Sequence, residues 1–289
     1  MTEYKMFEGC TIGNRIPFIE AASRKVLDKI GVQTSQAPFS CCPDPTGVKS
    51  FDNTAWLALG ARNLCLAESE GKDILSLCNG CANTLRGVQT QLKHDSLKKS
   101  KVNAELAKIG KEYKGSIDVK HFVDVIKANL DGVKGAITKQ LSGLKVACHP
   151  GCHYMRPAEW MESDDPLRPK NLKEIVAVTG ATVVEYPELA LCCGSAVSGP
   201  FPEHGDAILK QKMDSIKKAG ADVIVANCPA CFQQFDTKQR DLSKKFETEY
   251  KIPVLYLTEL LALAMGISGD DIGLKFHRVR LNDILEKLG

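Results

Sequence analysis

The sequence has no apolar run of 18 or more residues, so no conventional membrane-spanning helix is expected. Its net charge is only +3 over 289 residues, which is too small to favour nucleic acid or an anionic membrane as a partner. The opening letters MTEYKMFEGC lack the charged-then-apolar order of a signal peptide. These absences predict a cytoplasmic protein, in a compartment where structural disulfides are rare.

Cysteine, by contrast, is abundant, with 12 in the chain. Ten of them form two like sets, each made of a lone cysteine, an adjacent pair and a C-x-x-C. The first set is Cys10, Cys41, Cys42, Cys78 and Cys81, and the second set is Cys152, Cys192, Cys193, Cys228 and Cys231. In a reducing compartment, clustered cysteines more often hold metal or do redox work than form disulfides. The duplicated pattern therefore predicts two thiolate-rich metal sites.

Strand and helix patterns alternate along both copies of this motif. Apolar runs such as DILSLC and ADVIVANC are typical of buried parallel strands, and each leads into a helix at its C-x-x-C. We therefore expect an α/β fold of two homologous halves, 1–143 and 144–289, with short parallel sheets related by a pseudo-twofold. The stretch Ser96 to Gly143 is predicted to be a mostly helical linker, and the basic amphipathic tail HRVRLNDILEKL is expected to dock on a neighbour or on the body of the protein.

The position of the cysteines favours one kind of metal. A C-x-x-C after a buried strand puts one sulfur at the strand end and the other in the first helical turn, where free N–H groups favour anions. The adjacent pairs lie in turn-like loops, where both sulfurs can converge. Structural zinc and a regular four-iron cluster each take four protein ligands. Five sulfurs per set favour an iron–sulfur cluster of another shape, while a zinc-stabilised scaffold stays open.

Other candidate residues lie close to the lone cysteines. Arg15 and Arg156 follow them and could offset cluster charge, bind an anionic substrate group, or be surface residues. Of the two histidines that flank Cys152, His153 is the better candidate for a proton donor, because copy one has no equivalent. His149 could do the same or be structural. Two cysteines fall outside the sets: Cys65 is expected in the core, and Cys148 is expected to be inert rather than to support the metal site.

These features together resemble the B subunit of heterodisulfide reductase, in the cysteine-rich CCG-domain family. The resemblance covers nearly the whole chain and rests on the doubled cysteine motif and on the segments FEGCTIGNRIPFIE, CCPDPTGVKSF, GCHYMRP, CCGSAVSG and DDIGLKFHRV. It implies that each set of five cysteines holds one noncubane [4Fe-4S] cluster and that the two clusters face a shared cleft between the halves. The mixed disulfide of coenzyme M and coenzyme B would lie between them and leave as two thiols.

The resemblance also implies partners. The chain has no flavin or nucleotide fingerprint and no ordinary ferredoxin run of cysteines, so its electrons must come from elsewhere. In the family they come from an iron–sulfur C subunit, fed by a flavin-containing A subunit or by a membrane cytochrome. Two related roles stay open: a subunit of a sulfur-oxidising complex of the same type, and the cysteine-rich subunit of a succinate dehydrogenase or thiol:fumarate reductase.

Overall fold

The computed structural model describes residues 3–288, so the outer ends of the two predicted halves, at 1 and 289, lie outside the described residues. Each half contains one four-stranded sheet, and every pairing in both sheets is parallel. The strands are β1 (Glu3–Phe7), β2 (Gln33–Ser35), β3 (Ile74–Ser76), β4 (Val119–His121), β5 (Lys145–His149), β6 (Thr182–Val184), β7 (Val223–Ala226) and β8 (Val254–Tyr256). The orders β2-β1-β3-β4 and β6-β5-β7-β8 are the same, which confirms the predicted repeat.

Helices follow the strands in both halves. They are α1 (Gly9–Arg15), α2 (Phe18–Lys29), α3 (Gly47–Phe51), α4 (Asn53–Glu68), α5 (Asn79–His94), α6 (Ser96–Ala107), α7 (Phe122–Ala128), α8 (Leu130–Ala136), α9 (Ala158–Met161), α10 (Asn171–Ala177), α11 (Ser195–Ser198), α12 (Pro202–Lys218), α13 (Pro229–Phe246), α14 (Leu257–Ala264) and α15 (Asn282–Leu288). None of the helices in the described part of the chain has the length and apolar character needed to cross a membrane.

Burial explains why the central strands are the most apolar segments. All residues of β3 and β7 are buried, because helices cover both faces of each sheet. Every residue of α14 is buried as well. These segments form the centre of a core that includes side chains from both halves.

The contacts between the halves are reciprocal, as a pseudo-twofold requires. Helix α2 of the first half packs on α14 of the second, and its counterpart α10 packs on α7. In the same way α5 packs on the 3-10 turn at Cys152–Tyr154, while its counterpart α13 packs on α1. A hydrogen bond of 3.0 Å joins the hydroxyls of Ser23 and Thr258 across the first of these contacts. The two halves are therefore one packed body.

The stretch from Ser96 to Gly143 is mostly helical, as expected, with α6, α7 and α8, but it also contains an edge strand. Val119–His121 pairs in parallel with Ile74–Ser76 and completes the first sheet. The C-terminal tail behaves as expected and docks on the body of the protein: Leu281 and Ile284 are buried. Only the side chain of Leu288, the last residue of the predicted amphipathic stretch, lies outside the described residues.

Candidate metal centre

The two C-x-x-C motifs occupy equivalent places at the carboxyl ends of β3 and β7. Cys78 and Cys228 have extended backbones (φ −130° and −135°) and directly precede helices α5 and α13. Cys81 and Cys231 then lie in the first turn of those helices and are buried. Because the free N–H groups of a helix start favour negative charge, both motifs present their sulfurs where an anionic cluster gains most.

A glycine precedes each lone cysteine and allows a C-x-x-C sulfur to approach it. Gly9 and Gly151 both adopt the left-handed conformation, with φ of 73° and 72°. A Cβ at Gly9 would lie 2.8 Å from Cys81 Sγ, whereas one at Gly151 would lie 2.5 Å from Asn79 Nδ2 and in ordinary contact, at 3.5 Å, with Cys231 Sγ. Both the backbone conformation and the missing side chain are thus needed at these positions.

The adjacent cysteines lie in irregular loops, as expected from their turn-like sequences. The Sγ atoms of Cys41 and Cys10 are 3.9 Å apart, so the pair reaches the lone cysteine of the first set. In the second set, Cys192 Sγ accepts a hydrogen bond of 3.3 Å from the backbone N–H of Gly194.

All ten cysteines line one cavity of about 340 Å³ between the halves. Cys42 contacts Cys81, and Cys193 contacts Cys231. The sets also meet each other, because the thiols of Cys78 and Cys228 are within hydrogen-bond reach. All twelve cysteines of the chain are free.

The chemistry of these thiols fits a bound cationic metal. Hydrogen bonds to Cys42 and Cys78, together with burial, hold the pKa of Cys81 well above its usual range. The pKa of Cys231 is raised in the same way by its hydrogen bonds with Cys193 and Cys228. Ten thiols this close together can all be deprotonated only if a bound cation neutralises their charge. Thiolates are preferred ligands of zinc and of the iron in iron–sulfur clusters.

The comparisons with known proteins agree with this site. A model of the CCG family, described as a cysteine-rich domain, matches residues 4–86 and 146–236, once in each half. The chain is also 39% identical, over its full length and 97% of the relative's, to the B subunit of the ferredoxin/F420H2-dependent CoB-CoM heterodisulfide reductase of Methanosarcina acetivorans. The chain belongs to the family of heterodisulfide reductase B subunits. The doubled CCG domain of that family and the clustered cysteines indicate an iron–sulfur cofactor.

Further relatives are similar to this chain over most of its length. A protein of Archaeoglobus profundus, named as similar to the B subunit of heterodisulfide reductase, is 34% identical over 94% of this chain and 93% of its own. The 8-methylmenaquinol:fumarate reductase membrane anchor subunit of Wolinella succinogenes is 29% identical over 95% and 96%. The crystal structure of a hypothetical protein from Helicobacter pylori superposes with a TM-score of 0.80 at 16% identity and shares the fold. The superposition covers 98% of this chain and 53% of the Helicobacter pylori chain, which is longer.

The structure places His153, the predicted proton donor, beside the second cysteine set. His153 lines the cavity, and its Nδ1 atom is 4.0 Å from Cys152 Sγ. The two arginines lie elsewhere. Arg15 is exposed at the end of α1, and Arg156 is exposed and donates a hydrogen bond of 2.6 Å to the carbonyl of Ala190. Neither is among the residues that line the cavity, so the geometry gives no support to substrate binding by them.

The two cysteines outside the sets are buried away from the cavity lining. Cys148 lies within β5, where burial raises the pKa of its thiol. Cys65 lies on α4, and burial raises its pKa to about 11. Protonated and enclosed, both have the environment of inert core residues in this member of the family.

His149 is closer to the second cysteine set than its sequence position suggested. It is fully buried, and neither ring nitrogen has a hydrogen-bond partner among the described residues. Its ligand atoms and those of Cys193 and Cys231 lie within 4.8 Å of one another. The aligned residue of the first half is Phe7, so His149 adds a polar group to one half only. The sequence shows this difference when the two copies are aligned, because a histidine then stands opposite a phenylalanine.

Proposed function

We propose that the chain is the catalytic subunit of a heterodisulfide reductase and reduces the mixed disulfide of coenzyme M and coenzyme B to two thiols. The observation that carries the proposal is the convergence of two like sets of five free cysteines on one cavity between the halves. The family to which the chain belongs, one of oxidoreductases acting on a disulfide, supports it.

The residues proposed to hold two noncubane [4Fe-4S] clusters are the ten cysteines of the two sets. Once bound, such clusters would supply the two electrons that cleave a disulfide. The balanced reaction breaks one S–S bond, consumes two electrons and two protons, and gives two thiols. Five sulfurs per set exceed the four ligands of a regular cluster, which supports the noncubane type.

The protein's own contribution is position, exclusion of water and protons. The cavity lies at the carboxyl ends of two parallel sheets, on rigid elements that fix the sulfurs. Cys42, Cys81, Cys193, Cys228 and Cys231 are buried, so the inner part of the cavity is closed to solvent. His153, at the cavity wall beside Cys152, is the residue we propose to hold a proton for a departing thiolate.

The electrons require partner proteins. We propose that an iron–sulfur C subunit delivers them one at a time and that a flavin-containing A subunit or a membrane cytochrome feeds it. The Methanosarcina relatives support membership of a complex, because each is named as the B subunit of a reductase. The cytoplasmic location stays a prediction from the sequence.

Metal analysis and a disulfide assay test the proposal. The anaerobically purified chain is expected to contain about eight irons with acid-labile sulfide, four for each set. With a reduced viologen dye as electron donor, it should release two thiols per mixed disulfide, and Cys193→Ala should abolish the release. One or two zinc ions without iron would instead identify a scaffold, and an iron-replete protein that releases no thiol would contradict the substrate.

The relative named as the membrane anchor of an 8-methylmenaquinol:fumarate reductase supports a second candidate. In that case the same cysteine sets would carry electrons from a quinol toward another protein of the complex, as in a succinate dehydrogenase or thiol:fumarate reductase. Reduction of the iron-loaded protein by a menaquinol analogue, without thiol release from the mixed disulfide, would favour this candidate over the first. A role in a sulfur-oxidising complex would show as faster thiol oxidation than disulfide reduction.

A further inference from the structure

Each half holds its cysteine-pair loop with one buried polar side chain, and the two side chains differ in charge. In the first half Asn63, on α4, accepts hydrogen bonds from the N–H and hydroxyl of Ser40 at 2.9 and 3.2 Å and donates to the carbonyl of Cys41 at 3.1 Å. In the second half Lys212, on α12, donates to the carbonyls of Glu188, Leu189 and Leu191. Both side chains are 0% exposed.

The two positions are equivalent in the repeat. Asn63 and Lys212 each lie eight residues before the glycine that follows their helix, Gly71 and Gly220. Both glycines adopt the left-handed conformation, with φ of 62° and 68°. Each side chain also reaches the residue directly before its cysteine pair, Ser40 or Leu191. The sequence therefore places a neutral amide and an amine at the same structural site.

Two observations indicate that Lys212 carries a positive charge at neutral pH. Its Nζ atom has three carbonyl acceptors, at 2.7, 3.1 and 2.7 Å, which match the three N–H bonds of an ammonium and exceed the two of a neutral amine. Burial lowers its pKa to about 8, and the thiolates of Cys231, Cys193, Cys192 and Cys152 raise it. All three hydrogen-bond acceptors of Lys212 are neutral carbonyls, so none of them neutralises this charge.

Each cysteine-pair loop also accepts a hydrogen bond from an arginine that is at least partly exposed, whereas the buried Lys212 has no charged counterpart in the first half. Arg62 donates to the carbonyl of Pro38 in the first half, and Arg156 donates to the carbonyl of Ala190 in the second. Water screens both of these charges, but it screens the buried charge of Lys212 far less. The cavity lining adds to the difference, because the carboxylates of Glu8 and Asp44 are both in the part that the first half contributes.

We propose that Lys212 makes the two metal sites electronically unequal, so that the cluster of the second half is reduced at the higher potential. Reduction adds negative charge to a cluster, and a nearby buried cation stabilises the reduced form. Lys212 is thus a positioning and tuning residue, and Asn63 gives the first half the same loop geometry without the charge. The inference rests on the proposed function, since both cysteine sets must hold clusters.

Redox titration followed by electron paramagnetic resonance tests the inference. Lys212→Gln should keep the iron content but lower one of the two midpoint potentials and narrow their separation. Lys212→Arg, which keeps the charge, should preserve the separation. The matched control is Lys210→Gln, which removes a partly exposed cation from the same helix and should change neither potential. Unchanged potentials in Lys212→Gln, or equal shifts of both, would overturn the inference.

A second measurement leaves Lys212 in place, in case Lys212→Gln does not fold. Cys42→Ala removes a ligand from the first set only, and Cys193→Ala removes its counterpart from the second. The cluster retained by Cys42→Ala should have the higher potential, and an equal or reversed order would contradict the inference. Its failure is distinct from failure of the proposed function, which iron analysis and thiol release by the wild-type protein decide.

Discussion

Gly9 lies directly before Cys10 with a φ of 73°, a conformation that costs other residues about 1–3 kcal/mol. A Cβ there would also lie 2.8 Å from Cys81 Sγ. We predict that Gly9→Ala lowers both the thermal stability and the iron content of the loaded protein. Gly31 is the matched control, because its φ is 75° but a Cβ there would meet nothing within 4 Å. Gly31→Ala should lose stability while keeping its iron, and equal iron loss in both variants would refute the packing argument.

His153 can be tested in the same assay. If it holds the proton for a departing thiolate, His153→Gln should keep the clusters and lower the rate of thiol release by about 10²–10⁴-fold, the usual range for a lost general acid. The control is His204→Gln, an exposed histidine that contacts Phe201 away from the cavity lining. Wild-type rates in His153→Gln would assign proton delivery to another group.

At this scale the sequence pattern predicts the sulfurs but not the groups that hold them. The ten cysteines can be recognised from the sequence because their motif is defined by spacing along the chain and occurs twice. Asn63 and Lys212 act through contacts with loops about 20 residues away, and a lone asparagine or lysine on a helix carries no signal of this kind. Only alignment of the two halves shows that they occupy one position.

Among the elements, β4 joins the first sheet to α7 through His121. This histidine is fully buried, and its Nδ1 atom accepts a hydrogen bond of 3.3 Å from the N–H of Val123 at the start of α7. Burial lowers the pKa of His121 from 6.5 to about 4. Below pH 6.5 the unfolded chain therefore binds a proton at this site that the folded chain does not. Stability is full above pH 6.5 and falls between pH 6.5 and 4.

The expected loss over this interval is about 3 kcal/mol, from about 1.36 kcal/mol for each pKa unit. We predict that His121→Asn, which can still cap α7, has a flatter dependence of unfolding free energy on pH, measured by denaturant titration of the apoprotein between pH 7 and 4. His149, with a pKa also lowered by burial, and His277, with a pKa raised by Glu259, are present in both proteins. Equal slopes in the two proteins would show that His121 is not the titrating group.

Strand β4 also shows which kind of secondary-structure element the sequence does not predict. Long apolar runs predicted β3 and β7, and positive-φ glycines at 31, 71, 180 and 220 follow α2, α4, α10 and α12. The strand β4 has only three residues, VKH, between polar segments, too few for a periodicity to show. The helix α4 begins at Asn53 because the Asp52 carboxylate accepts hydrogen bonds from the N–H groups of Thr54 and Ala55.

For the whole molecule, Tyr256 is one of the contacts that join the two metal sites. Its buried hydroxyl shares a single proton between the carbonyl of Leu77 in the first half and, at 2.9 Å, the carbonyl of Asn227 in the second. These carbonyls directly precede Cys78 and Cys228. One phenol thus sets the distance between the strand ends that carry the two C-x-x-C motifs.

We therefore predict that Tyr256→Phe destabilises the protein by about 1–3 kcal/mol, because buried carbonyls lose their donor. It should also alter the paramagnetic signals of both clusters, whereas Lys212→Gln alters one. The control is Tyr186→Phe, which removes a buried hydroxyl that donates to the carbonyl of Cys148 within the second half. That variant should lose similar stability but leave the first cluster unchanged. If Tyr256→Phe also changed one cluster only, the strand ends would be held independently of this hydroxyl, and the other contacts between the halves, such as that of α2 with α14, would carry the coupling.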